Sequence, residues 1–173
     1  MKKVNLYIES SSTAFQKRDR QCGYVLEYIA KTGTPVTREG FREGRGTYNQ
    51  EILRTLTVAL QRIREPCDLT IYVQNNFVLN MIADRLETWA ADNFISNGRP
   101  VMNQEEWRTV WDLIKEHKVS CQTGEHPYSG WLLTEMEEEN EKNKSIKKPS
   151  GDEQEKPEAA YGGDLPENQG LPG

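Results

Sequence analysis

Val4-Asn5-Leu6-Tyr7-Ile8 alternates apolar and polar positions, then turns wholly polar at Glu9-Ser10-Ser11-Ser12. That period of two predicts a short strand ending in a polar loop. Cys22 to Ala30 is rich in β formers and predicts a second strand, and Thr32-Gly33-Thr34-Pro35 supplies a turn. Val36 to Gly44 sets alternating charges around Val36 and Phe41, as suits a third strand exposed on one side. Short connections between these strands imply an antiparallel meander. From Thr47 the period changes: Ile52, Leu53, Leu56, Ala59, Leu60 and Ile63 recur at steps of three and four, giving a helix with one apolar face that Pro66 ends. Leu69 to Val73 predicts a fourth strand and Phe77 to Ile82 a helical run. Gln104 to His117 predicts a helix carrying Trp107, Val110, Trp111 and Ile114, Lys118 to Cys121 a fifth strand, and Trp131 to Met136 a last helix. Strands alternating with helices after the meander imply parallel pairing. The predicted order is βββαβα(α)βα: a five-stranded mixed α/β sheet, three antiparallel strands and then two parallel, flanked by helices.

Composition divides the chain. The 173 residues are 35% hydrophobic, with a mean hydropathy of −0.81, low for a wholly globular chain. From Glu137 onward there are 10 acidic and 5 basic residues, which accounts for the whole net charge of −5, so residues 1–136 are neutral. The expected organisation is one folded domain over 1–136 and a disordered acidic tail with Pro and Gly over 137–173. A neutral domain binds nucleic acid only through local clusters of Lys and Arg. Cys22, Cys67 and Cys121 are far apart, with no Cys or His at ligand spacing, and are expected to be buried or half-buried free thiols. No apolar stretch long enough to span a bilayer occurs, so the sequence predicts a soluble cytoplasmic protein with no membrane partner.

The element order and several local patterns resemble the ribonuclease H family. Leu6-Tyr7-Ile8-Glu9-Ser10-Ser11 looks like that family's first strand with its terminal acid. Gly46-Thr47-Tyr48-Asn49, leading to Val58-Ala59-Leu60, looks like its first helix, which begins Thr-x-Asn. Leu69 to Val78 resembles its fourth strand and the following Asp-Ser-x-Tyr-Val turn. The most specific piece is Asn97-Gly98-Arg99-Pro100-Val101-Met102-Asn103-Gln104-Glu105-Glu106-Trp107, similar to Gly-Lys-Pro-Val-x-Asn-x-x-Leu-Trp. His126-Pro127 before the final helix is a further match.

The resemblance implies a two-metal reaction in which Mg²⁺ ions about 4 Å apart hold the attacking water and the leaving oxygen of a phosphodiester. Hard Mg²⁺ requires converging anionic oxygens. The family supplies an Asp on strand one, a Glu early in the first helix, an Asp ending strand four and an Asp in the last helix. Here the strand-one position is Glu9, one methylene longer, an offset of roughly an ångström that can cost about a hundredfold in rate. The strand-four position is the neutral Gln74, and the last-helix position is Leu133. Counting without gaps along the first helix puts Ile52 at the metal position, with Glu51 about 100° away. A local slip at the helix start would bring Glu51 inward. The family's Gly-His-Ala-Gly-His loop has Thr123 at its mobile His and Glu125 at a Gly.

Glu9, Glu51 and Gln74 are therefore the candidate catalytic positions of a degenerate site, and Glu9 the candidate metal ligand. No cofactor is expected, and Mg²⁺ or Mn²⁺ only with residual activity. Ser11, Asn49, Asn75 and Asn76 fall where family members contact nucleic acid, with helix capping the other role for Asn49. Lys17, Arg18, Arg20, Arg38, Arg42, Arg45, Arg54, Arg62 and Arg64 are either a backbone-tracking patch or a solvated surface interleaved with acids. The four tryptophans are expected as core or helix-packing residues, and His117 and His126, lacking carboxylate or Cys partners at catalytic spacing, read as structural or surface residues. The expectation is a non-catalytic module that binds nucleic acid, either an RNA/DNA hybrid or double-stranded RNA. One alternative is a weakened, metal-dependent ribonuclease H using Glu9 and Glu51. The other is a protein-interaction module whose acidic tail folds on a partner.

Overall fold

The computed structural model describes residues 1–143 and 156–159. β1 (Lys2–Ser10), β2 (Arg18–Ile29) and β3 (Pro35–Gly46) form the antiparallel meander. α1 (Tyr48–Leu60) then carries the chain to β4 (Cys67–Tyr72), which pairs parallel to β1. Next come α2 (Asn76–Asp84), α3 (Leu86–Ala91), a small hairpin of β5 (Ile95–Ser96) and β6 (Arg99–Pro100), and α4 (Gln104–Ile114). β7 (Lys118–Gln122) adds a second parallel strand beside β4, and α5 (Ser129–Asn143) follows. The sheet order is β3-β2-β1-β4-β7, the five-stranded mixed type expected.

Strand alternation assigns the two faces. Val4, Leu6 and Ile8 lie beside Tyr28, Leu26 and Tyr24 and are buried under Ile52, Leu53, Leu56, Ala59 and Leu60 of α1. The intervening residues Tyr7 and Val25 pack on the other face against Tyr128, Trp131, Leu132 and Met136, a smaller core under α5. Trp107 and Trp131 are buried, and Trp89 and Trp111 pack against the larger core. The cysteines are free, Cys22 and Cys67 buried and Cys121 half-buried.

Several boundaries differ from the sequence reading. α1 is capped by Thr47, whose hydroxyl accepts from the Gln50 amide at 3.1 Å, so Asn49 is not its cap. α1 also ends at Leu60 rather than at Pro66, although Ile63 remains buried. α3 and the β5–β6 hairpin had no period to announce them. Asn97 and Gly98 both have positive φ (53° and 76°), the backbone of a tight hairpin turn. Phe94 is also left-handed, at 59°, which costs a bulky residue about 1 kcal/mol. Arg108 braces it, lying 4.9 Å over the Phe94 ring and donating to the Asn93 carbonyl at 2.9 Å. The strained turn at Phe94 thus leads into the hairpin with its support built in.

α5 continues seven residues past the boundary expected at 136. The disorder expected for the tail concerns, over 144–155 and 160–173, residues outside those described. No helix among the described residues is long and apolar enough to cross a membrane.

Candidate functional site

β1 and β4 run parallel side by side, so their carboxyl ends open on one edge of the sheet, where ligand crevices of such sheets form. Glu9 stands at the end of β1 on the α5 face and is 4% exposed. Gln74, two residues past β4, donates its amide to both Glu9 oxygens, at 2.7 and 3.0 Å. The Ser129 hydroxyl at the start of α5 donates to the same carboxylate at 3.3 Å. Burial raises the Glu9 pKa above its ordinary value; the bonds from Gln74 and Ser129 pull it back and the nearby charge of Glu125 pushes it up.

His126 stands 3.7 Å from Glu9, so the sequence reading that it lacks a carboxylate neighbour is corrected by the fold. Its Nδ1 accepts from the Tyr128 amide at 3.2 Å, which assigns the ring proton to Nε2, and Nε2 donates to the Ile8 carbonyl at 3.1 Å. Burial lowers its pKa, in keeping with a neutral ring. Tyr7 stacks on Tyr72 at 4.6 Å and meets Tyr128 at 4.9 Å, an aromatic floor beneath the site. The Tyr48 hydroxyl at the start of α1 is pushed up to about 12, by burial first and then by the Glu9 charge.

Glu51 is fully buried, but not beside Glu9. Its carboxylate is paired with Arg42 of β3 at 3.0 Å and Arg54 of α1 at 2.6 Å. It fits because Gly44 and Gly46 have no Cβ: a methyl at either would collide with this carboxylate. Ile52 is equally buried, in the main core, so both positions of the first turn point inward, Glu51 toward β3 and Ile52 into the apolar cluster. Ser10 and its cross-strand partner Cys22 continue the alternation of Val4, Leu6 and Ile8, the face covered by α1. Glu9 and its partner Gly23 face α5. The two carboxylates therefore lie on opposite sides of the sheet.

A cavity of about 230 Å³ opens beside Glu9, lined among others by Ser11, Ser12, Tyr48, Gln74 and Leu133. Leu133 gives the cavity an apolar wall. Among the described residues, no three His, Cys, Asp or Glu side chains form a group able to hold a metal ion. The predicted polar rim is assembled, but parts of it serve the fold. Ser11 is exposed and its hydroxyl accepts from the Gln21 amide at 2.9 Å. Asn75 is buried: its carbonyl oxygen caps α2 at Val78 (2.9 Å) and its amide donates to Asn49 at 2.8 Å. Asn76 accepts from the Thr123 hydroxyl, tying α2 to the loop after β7.

The basic stretch also divides. Arg20 is buried and donates to the carbonyls of Ser12, Ala14, Gln16 and Gly46 at 2.7–3.3 Å, mooring the loop after β1. Arg42 and Arg54 hold Glu51, and Arg62 donates to the Tyr24 hydroxyl at 3.1 Å. Lys17 and Arg18 are exposed at the same edge as Ser11 and Ser12, and Arg18 reaches the Ser12 hydroxyl at 3.4 Å. Ser129, Tyr48 and Arg20 were not singled out from sequence for this site. For Arg20 the signal was available, since a polar seven-residue loop between two strands needs donors for its carbonyls.

The fold has counterparts among known proteins. Ribonuclease HI of Haemophilus influenzae is 34% identical over 101 residues, which are 58% of this chain and 63% of that protein. The chain thus spans less than two thirds of the length of that relative. Among solved structures, LC9-RNase H1, a type 1 RNase H with the type 2 active-site motif, superposes with a TM-score of 0.64 at 14% identity, over 76% of this chain and 69% of that one. The foamy viral protease-reverse transcriptase in complex with an RNA/DNA hybrid superposes at 0.53 and 11% identity, over 70% of this chain and 17% of that one. These two likenesses are of fold. The sequence model of the RNase H family matches residues 1–124, so the chain belongs to the ribonuclease H family.

Proposed function

We propose that this chain is a non-catalytic ribonuclease-H-like module that holds an RNA/DNA hybrid or double-stranded RNA along the rim beside Glu9. The opposed placement of Glu9 and Glu51 carries the reading. A pair of divalent cations needs several convergent carboxylates. Of the candidate positions Glu9 alone stands at this edge, already accepting from an amide and a hydroxyl, with Glu125 near it only as a repelling charge, and Glu51 is bound to two arginines across the sheet. Gln74 is neutral and Leu133 apolar, so the donor set does not fit two Mg²⁺ or Mn²⁺ ions. For binding, the support is the rim itself: exposed Ser11, Asn76 and Thr123, with Lys17 and Arg18 beside them. Hydroxyls, amides and cations of this kind contact backbone phosphates and sugars without reading bases.

A fluorescently labelled hybrid titrated with the full chain at several salt concentrations tests both halves. The expected result is a complex that weakens with salt, with the log–log slope falling by about 1 for each of Lys17→Ala and Arg18→Ala. The RNA strand should stay intact in Mg²⁺ and in Mn²⁺. Metal-dependent cleavage abolished by Glu9→Ala would establish the weakened nuclease instead. Failure to bind hybrid or double-stranded RNA at low salt would end the nucleic-acid reading.

A further inference from the structure

Four residues beyond α5 are placed back on the domain, far along the chain from the helix they follow. The Lys156 ammonium pairs with Glu39 of β3 at 3.1 Å and lies 5.5 Å from the centre of the Trp131 ring. Pro157 and Ala159 are half-buried while Glu158 between them is exposed, an alternating presentation. The Glu158 carbonyl oxygen lies 3.5 Å from the Tyr128 hydroxyl, which itself donates to the buried Glu27 at 2.8 Å. Phe41 continues the patch, its ring 6.0 Å from that of Trp131. An acid beside an indole face suits a primary ammonium, which is attracted to both. A residue preceding proline is restricted to extended backbone, so a Lys-Pro pair arrives with little conformational freedom left to lose.

We propose that Glu39, Phe41, Tyr128 and Trp131 form a docking site for an extended Lys-Pro peptide, and that residues 156–159 of this chain fill it in cis. The tether permits it. Trp131 and Asn143 are separated by about 18 Å along α5. The thirteen Cα-to-Cα steps from Asn143 to Lys156 can span at most about 40 Å. A tether of that length holds the segment at an effective concentration on the order of millimolar, enough to keep a weak site occupied. The contact rests on a cation and an aromatic ring, not on the acidic residues that dominate the tail's composition.

The test is ¹H–¹⁵N NMR of the full chain, reading the Trp131 indole resonance, assigned with Trp131→Phe. Lys156→Glu should move that signal. Glu39→Lys alone should move it too, and the Glu39→Lys/Lys156→Glu pair should restore it toward the native position. A free peptide with the sequence of residues 153–162 should return the Lys156→Glu chain to the native shift at millimolar concentration. On the unaltered chain it should act at least tenfold more weakly, because the site is occupied. An indole signal indifferent to Lys156→Glu, or a peptide that acts equally on both chains, would overturn the proposal. So would a native shift lost on dilution, which would make the occupant a second copy. None of these readouts involves nucleic acid, so failure here leaves the hybrid-binding reading intact, and the reverse.

Discussion

Glu9 and Glu51 are both buried acids in one small domain, and their surroundings solve the cost of burial by opposite means. Glu51 lies between two guanidinium groups in a niche cleared by two glycines. Glu9 is held by an amide and a hydroxyl, with a neutral imidazole nearby, at the mouth of a cavity. Compensation by charge turns an acid into a structural tie between α1 and β3. Compensation by neutral dipoles is partial: it leaves an acid whose charge burial still disfavours and whose oxygens are already engaged. Two-metal chemistry would need both to abandon these partners and meet on one side of the sheet.

The largest expected effect comes from breaking the charged pair. Glu51→Ala leaves Arg42 and Arg54 facing a dry niche. Removing one member of a buried ion pair costs about 3–5 kcal/mol, discounted here to about 2–3 because both arginines keep some exposure and can rehydrate. Urea unfolding should show that loss, with Tm lower by roughly 5–12 °C. Gly44→Ala should cost a comparable amount without removing any charged group, because its methyl displaces the Glu51 carboxylate from the two arginines. If Gly44→Ala is neutral, the niche is looser than described and Glu51 is free to move.

Gln74→Asp makes the two sites alike in the other sense, by setting a second carboxylate against Glu9. It removes the amide that donates to both Glu9 oxygens and adds like-charge repulsion. In chelator the variant should lose about 1–2 kcal/mol. Mn²⁺ should restore it, by about 2.7 kcal/mol at a hundred times the dissociation constant. The unaltered chain should melt at the same temperature with and without Mn²⁺. An equal Mn²⁺ stabilisation of both would mean that Glu9 already gathers a cation.

Sequence pattern alone reached the sheet, because period two in Val4 to Ile8 and period three to four in Ile52 to Ile63 each encode a buried face. It also placed Ile52 on the apolar face that α1 buries. It missed α3 and the β5–β6 hairpin, whose positions are set by left-handed residues and by Arg108 rather than by periodicity. It left Glu51 ambiguous for a physical reason. A helix lying against a sheet buries more than one stripe, and what occupies the second stripe depends on Gly44 and Gly46 in another element. His126 near Glu9 was beyond reach for the same reason: 117 residues separate them, and only the packing of α5 on β1 joins them.

The smallest effect is the most diagnostic of how Glu9 is held. Its folded pKa lies above the ordinary 4.5, chiefly from burial, so the folded state binds that proton more tightly than the unfolded chain does. The stabilisation from Glu9 is then complete below pH 4.5 and is lost as pH rises through the raised folded value. Glu9→Gln removes a buried charge while its carbonyl can still accept from the Gln74 amide. At pH 7 the variant should be more stable by about 0.5–1 kcal/mol, as is common where a site is not tuned for stability. His126 works in the opposite direction: burial lowers its pKa, so stability falls as pH drops below 6.5 in both proteins. Urea midpoints measured across pH 4 to 8 should therefore differ only on the limb above 4.5, where the downward slope disappears in the variant. A Glu9→Gln chain less stable at neutral pH, with that slope unchanged, would show that Glu9 is held by a compensating charge after all, as Glu51 is.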